Sequence, residues 1–216
     1  KRYLSLILAI VICMSTFFTS TTSLEVMAAS ENEIGNYTNF NDSDDGNVII
    51  FNVDNAQVKV ELCTARTLRV QLSLNGNEGY RPEDPQYYMV QKNEWPLVNK
   101  TIEDKGDYIQ ILTDQIEIRV QKNPFRIGMY DLNGNLISKD SDDQGMYWND
   151  LGVRGVKKTE GSTNAGGIFG FGSGDHGRRS NLNRYDQDFS EFSMSHGRVV
   201  APFFMSTVGY GIFLNT

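Results

Sequence analysis

Both histidines of the chain, His176 and His196, fall between Asp175 and Arg198, in company with Arg178, Arg179, Arg184, Asp186 and Arg198. All of these side chains donate or accept hydrogen bonds. The glycines of Gly172-Ser-Gly-Asp-His-Gly177 satisfy G-x-G-x-x-G, but that motif meets a pyrophosphate only between a buried strand and a helix N-terminus. Here a polar, turn-rich run, Arg178-Arg-Ser-Asn-Leu-Asn183, follows instead. The glycines therefore read as backbone that turns tightly or lets a ligand approach. Two acidic runs have the composition of cation loops. Asn41-Asp-Ser-Asp-Asp-Gly46 places oxygens at alternate positions and glycine sixth, yet Asn52 occupies the twelfth place, where a calcium loop needs a bidentate Glu. It reads as a solvated turn, as does Asp140-Ser-Asp-Asp-Gln-Gly145, because clustered carboxylates stay in water unless a cation gathers them. Cys63 sits in an alternating pattern and reads as a small buried hydrophobe rather than a nucleophile.

The elements that must position these groups are nearly all strands. Val58, Val60 and Leu62 alternate with Lys59 and Glu61, and Leu68, Val70, Leu72 and Leu74 alternate with Arg69, Gln71 and Ser73. Ile116, Ile118 and Val120 alternate with Glu117, Arg119 and Gln121. Period two predicts half-buried strands. Ile127 to Tyr130 runs into Asp131-Leu-Asn-Gly134, a turn that predicts a hairpin. At the other end, residues 202–216 read as two strands folded about Gly209. Short strands separated by turns, with no sustained helical period and no internal repeat, predict an all-β antiparallel sandwich.

Residues 1–29 have a secretory signal layout: Lys1 and Arg2, an apolar run from Leu4 to Phe18, and the small-residue segment Val26-Met-Ala-Ala-Ser30. That run is shorter than the ~20 apolar residues of a membrane span, so the expected product after cleavage at Ala28 or Ala29 is secreted, with no membrane partner. Residues 30–47 read as a polar leader and 48–216 as the sandwich. Taking Lys1, Arg2 and Glu25 from 20 basic and 27 acidic residues leaves 18 and 26, a net charge of −8. Such a surface repels phosphate backbones and argues against nucleic-acid binding. Cys13 lies in the signal, so Cys63 has no intramolecular disulfide partner. A core must supply the stability, and roughly 190 residues suffice for one.

Four segments in order carry a family resemblance: Phe169-Gly-Phe-Gly172; Leu182-Asn183-Arg184; Pro202-Phe203 with Ser206; and Gly209-Tyr-Gly-Ile-Phe213 with Asn215. Upstream, Leu68-Arg-Val, Ile116 to Phe125, and Asp131 with Gly134 fit the earlier strands. Together they resemble the N-terminal domain of glycoside hydrolase family 31, the α-glucosidases, α-xylosidases and α-glucosyltransferases, over most of residues 48–216. The resemblance implies a galactose-mutarotase-like β-supersandwich preceding a (β/α)8 barrel that lies beyond this sequence. In the family an aspartate nucleophile and an aspartate acid/base of that barrel act with retention, so no catalytic residue and no cofactor is expected here. It also implies that a loop of the sandwich lines outer sugar subsites, which nominates His176, Arg178, Arg184, Asp186, His196 and Arg198 as contacts to an α-glucan or oligosaccharide. Where the commoner family pattern has Trp-Asn-Thr-Asp, this chain has Phe192-Ser-Met-Ser-His-Gly-Arg198. That departure points toward a less common specificity, such as a transglucosylase.

Trp95, Tyr147, Trp148 and Tyr185 are candidate platforms for a pyranose face, with core packing as the alternative for each. Two other function classes stay open. A stand-alone carbohydrate-binding sandwich would bind glycan by itself. An aldose mutarotase would pair His176 or His196 as acid with Glu160 or Glu191 as base.

Overall fold

The computed structural model describes residues 31–43, 46–74, 92, 94–150, 154–160, 167–170, 203–207 and 209–213. All of them belong to one compact unit, Glu31–Thr216. Every described element is a strand, and every described pairing is antiparallel.

Two sheets form the body. The first has four strands in the order β2 (Tyr37–Asp42), β3 (Val48–Val53), β4 (Ala56–Thr64), β5 (Thr67–Leu74). The second has six, ordered β13 (Lys158–Glu160), β10 (Leu136–Asp140), β9 (Phe125–Tyr130), β8 (Glu117–Lys122), β7 (Tyr108–Thr113), β6 (Lys100–Asp104). Within both, chain neighbours are mostly sheet neighbours, because a two- to five-residue turn returns an antiparallel strand directly beside its predecessor. The β9–β10 turn is the predicted one: Gly134 takes φ +81°, open to glycine without a Cβ penalty. Asp131 Oδ1 caps the turn by accepting the backbone N–H groups of Asn133 and Asn135.

Alternation decides which face each sheet buries. Ile49, Phe51, Val53, Val58, Val60 and Leu62 of the four-stranded sheet, and Ile109, Ile111, Ile118, Val120, Phe125 and Ile127 of the six-stranded sheet, belong to one buried cluster. Phe51 and Phe125 meet across it, ring centroids 5.9 Å apart. Burying one such side chain contributes about 1.5–3 kcal/mol, and no disulfide assists: Cys63 is a free, buried thiol. Burial raises its pKa, with the Glu61 charge adding to the effect. The hydroxyl of Thr113, at the end of β7, donates to the Ala65 carbonyl between β4 and β5 at 2.6 Å, so the sheets are also joined where these strands end.

The structure departs from the sequence reading in three places. Residues 31–47, read as a polar leader, contain β1 (Glu31–Glu33) and all of β2. β2 pairs with β3, and Ile34 is fully buried in the core cluster. Tyr37 and Phe40 of β2 pack against the core beside Phe51, but they stand three positions apart across an irregular register, so the sequence Tyr-Thr-Asn-Phe-Asn-Asp shows no period of two. In β5 the alternation is real but its burial is not even: Val70 stays 38% exposed while Ser73 is buried, because β5 is an edge of its sheet. Finally, the Asp140–Gly145 turn is not solvated throughout, since Asp140, Gln144 and Gly145 are buried.

Two smaller sheets complete the described chain. β1 pairs with β11 (Met146–Asn149), which pairs with β12 (Arg154–Val156). β14 (Ile168–Gly170), β15 (Phe203–Ser206) and β16 (Gly211–Phe213) form the other, with β15 in the centre and Gly209 in the turn to β16. The two strands expected about Gly209 are therefore present.

Candidate functional site

The six nominated sugar contacts, His176, Arg178, Arg184, Asp186, His196 and Arg198, lie outside the described residues, as do Arg179, Tyr185, Glu191 and the Gly172–Gly177 motif. What is described is the root of their segment. β14 ends at Gly170 and β15 begins at Phe203, and Gly170 pairs with Phe204, so residues 171–202 leave and re-enter the sheet at neighbouring strands. Gly170 has φ +148°, and a Cβ there would lie 2.3 Å from the Phe203 carbonyl oxygen and 2.5 Å from the Phe204 Cα. Only glycine fits so close to a backbone.

The β14–β16 sheet is apolar on both faces. Register places Phe169 opposite Met205, Met205 opposite Gly211, and Phe203 opposite Phe213, so these side chains share one face. Phe169, Phe203 and Met205 are exposed there, Met205 by 55%. On the other face Phe204 is buried and meets Tyr210 edge-on at 6.3 Å. Strands apolar on both faces are the pattern of a sheet covered on both sides.

A second feature is an open groove of about 550 Å³ on the six-stranded sheet, on the face turned away from the core. Arg119, Gln121, Tyr108, Gly128, Tyr130 and Lys139 line it, in strands whose alternate residues Ile109, Ile118 and Val120 are buried. Register aligns Gln110, Arg119, Gly128 and Lys139 across β7, β8, β9 and β10. Arg119 presents its fork to Glu117, Nε and Nη2 each donating at 2.8 Å. Gln110 Nε2 donates to the same carboxylate at 2.6 Å. The Arg119 bond first, and the Gln110 bond with it, hold the Glu117 carboxyl below its usual pKa although the residue is buried. The guanidinium lies 4.0 Å from the Tyr130 ring centroid and 5.6 Å from that of Tyr108, a cation stacked between aromatic faces. At Gly128 a Cβ would come within 2.9 Å of the Tyr130 ring and 3.2 Å of the Lys139 Cβ. The missing side chain is what lets Tyr130 lean across the floor of the groove.

One end of the groove is fixed by two buried charges. Asp140, 1% exposed, accepts the Ile127 backbone N–H at 2.9 Å and pairs with Lys158 Nζ at 2.7 Å. Arg126, also buried, donates to the Ser141 and Phe125 carbonyls at 2.8 and 2.9 Å and lies 3.6 Å from Glu33. These bonds tie β1, β9, β10 and β13 to the 141–145 turn. Sequence reasoning assigned Glu117, Arg119 and Gln121 only to the polar side of a strand. The signal it passed over is Gly128, a glycine inside a strand, which marks a close approach.

Of the aromatic platforms, Trp148 packs against the core cluster from β11. The Tyr147 ring closes over Gly155, where a Cβ would come within 2.6 Å of it. Trp95 is half-buried with Lys92 Nζ 4.6 Å from its ring centroid. Asp42, in the first acidic run, is paired with Lys100 at 3.2 Å. Among the described residues no group of three or more His, Cys, Asp or Glu is placed to hold a metal.

Two face-to-face antiparallel sheets with this order define a galactose-mutarotase-like β-sandwich. The chain belongs to the family described as the glycosyl hydrolase 31 N-terminal galactose mutarotase-like domain, whose model matches residues 57–216. It is 28% identical over 130 residues to an isomaltosyltransferase of Sporosarcina globispora, covering 56% of this chain and 12% of that protein. Among solved structures it is similar to a Flavobacterium johnsoniae GH31 dextranase complexed with glucose: 26% identity, TM-score 0.65, 84% of this chain and 22% of that one. The fold is shared too with a cycloalternan-forming enzyme of Listeria monocytogenes in complex with a pentasaccharide substrate, at 18% identity and TM-score 0.60, over 88% of this chain and 18% of that one. The chain thus spans 12 to 22% of the length of these relatives.

Proposed function

We propose that this chain is the N-terminal β-sandwich of a secreted, retaining α-glycosidase or α-glucosyltransferase acting on α-glucans or oligosaccharides. In this reading it is a scaffold for a (β/α)8 barrel of the same protein, and residues 171–202 supply contacts to outer sugar subsites. Residues 1–29 are a signal removed on export. The observation that carries the reading is the family match over residues 57–216 in a chain that spans 12 to 22% of its relatives. The exposed apolar face of β14–β16 supports it: Phe169, Phe203 and Met205 form a surface that a neighbouring domain would bury. Retention needs two carboxyl groups about 5–5.5 Å apart, one attacking and one donating a proton to the leaving oxygen. That chemistry is assigned to the barrel, and the part of this domain is to orient and extend the substrate-binding cleft.

The test is expression of this chain alone and in its genomic reading frame. The expected result is turnover of isomaltotriose or another α-glucoside by the longer protein and none by residues 30–216. Turnover by residues 30–216 alone would overturn the assignment, and so would a reading frame that stops without a barrel. The second outcome would favour a stand-alone carbohydrate-binding sandwich.

A further inference from the structure

The groove on the outer face of the six-stranded sheet has the chemistry of a ligand site, and we propose that it binds a neutral oligosaccharide. The inference rests on the groove alone and holds whether or not a barrel follows. Its volume, about 550 Å³, is within the ~300–1,000 Å³ of small-ligand clefts.

Charge selects among ligand classes. The cations around the groove each face a carboxylate: Arg119 with Glu117, Lys122 with Asp104, Lys139 with Asp142, and Arg126 with Glu33. A phosphate entering here would meet a carboxylate beside every cation, on a chain whose net charge is −7. A metal ion finds no cluster of three ligands among the described residues. An apolar ligand would strip water from these charges without replacing its hydrogen bonds. A sugar hydroxyl donates and accepts at once, so it can bridge the Lys139–Asp142 pair, both of whose members line the groove, with no demand for net charge.

The geometry adds two further features. Charge pairs fixed by bidentate and stacked contacts lose little side-chain freedom when a ligand arrives, which lowers the cost of binding. Tyr108 and Tyr130 both line the groove beside the polar row, and Tyr130 lies over Gly128 between Arg119 and Lys139. An aromatic face beside planar hydrogen-bonding groups matches a pyranose, which has an apolar face and a polar rim.

The probes are maltotriose, isomaltotriose and inorganic phosphate, titrated calorimetrically into the chain. The expected result is saturable binding of at least one trisaccharide at a roughly millimolar dissociation constant, as suits a shallow, open site. Tyr108→Ala and Gln121→Ala each weaken it by about tenfold, a loss of about 1.4 kcal/mol, while far-UV circular dichroism and the melting transition confirm a retained fold. Tyr130→Phe, which removes only a hydroxyl, provides a third and milder change. Three outcomes overturn the proposal: neither trisaccharide binds saturably, binding is unchanged in both alanine variants, or phosphate binds in preference to both sugars. None of these bears on whether the longer protein turns over α-glucosides, so the two proposals fail separately.

Discussion

Removing Lys158 should destabilise the sandwich at least as much as removing its partner Asp140, although Lys158 lies nearer the solvent. Asp140 is 1% exposed, whereas 28% of the Lys158 side chain remains exposed. Lys158→Met strands a carboxylate in the interior with one described donor left, the Ile127 N–H at 2.9 Å. Stranding a buried charge costs about 3 kcal/mol or more. Asp140→Ala instead leaves an ammonium that water can reach, at a surface-pair cost of about 0–1 kcal/mol, and an orphaned Ile127 amide at about 1–3 kcal/mol. The expected total is about 1–4 kcal/mol, with its middle at about 2–3. Asp140→Asn keeps an acceptor for Ile127 and should cost about 1 kcal/mol. The double variant Asp140→Ala with Lys158→Met should be no less stable than Asp140→Ala alone, because no charge is then stranded. Urea unfolding followed by circular dichroism reads all four. For a chain of this size a loss of 3 kcal/mol lowers the melting transition by roughly 6–12 °C. A Lys158→Met variant within about 0.5 kcal/mol of the parent would refute the argument, as would a double variant that sums the single losses.

Two further outcomes follow from particular contacts. The Glu117 carboxyl is held below its ordinary pKa, chiefly by Arg119, so its stabilisation is present above the unfolded pKa of about 4.3 and is lost as pH falls through the lower folded value. Glu117→Gln should cost about 1.5–3 kcal/mol at pH 7, and its stability should converge on that of the parent in acid; a pH-independent difference would show that the fork with Arg119 does not matter. Gly170→Ala forces a Cβ to within 2.3 Å of the Phe203 carbonyl oxygen at a φ that side chains rarely adopt. The amides of Phe204 and Ile212 should then exchange faster while those of β8 do not change, and equal protection in parent and variant would remove the steric argument.

How far the sequence reveals this molecule depends on what each residue must do. The strands with apolar alternation, at Val58, Val60 and Leu62 and at Ile116, Ile118 and Val120, are legible because burial of one face imposes period two. β2 is not, because the two of its six residues that pack on the core, Tyr37 and Phe40, are three positions apart across an irregular register, which breaks period two, and the rest of an edge carries whatever polar residues solvent tolerates. The Asp140 turn reads as solvated because a sequence shows its carboxylates but not the cation that meets them: Lys158 is supplied by a different strand, and only the β10–β13 pairing, which sets Asp140 opposite Lys158, brings the two together. The groove is hidden for the same reason. Gln110, Arg119, Gly128 and Lys139 are nine to eleven positions apart along the chain, and each alone is an ordinary polar-face residue or a strand glycine. They become one row only through the registers of three antiparallel pairings. A site assembled across strands has no local motif, because the spacing that matters is the inter-strand distance of about 4.7–4.9 Å, which the chain encodes through its turns.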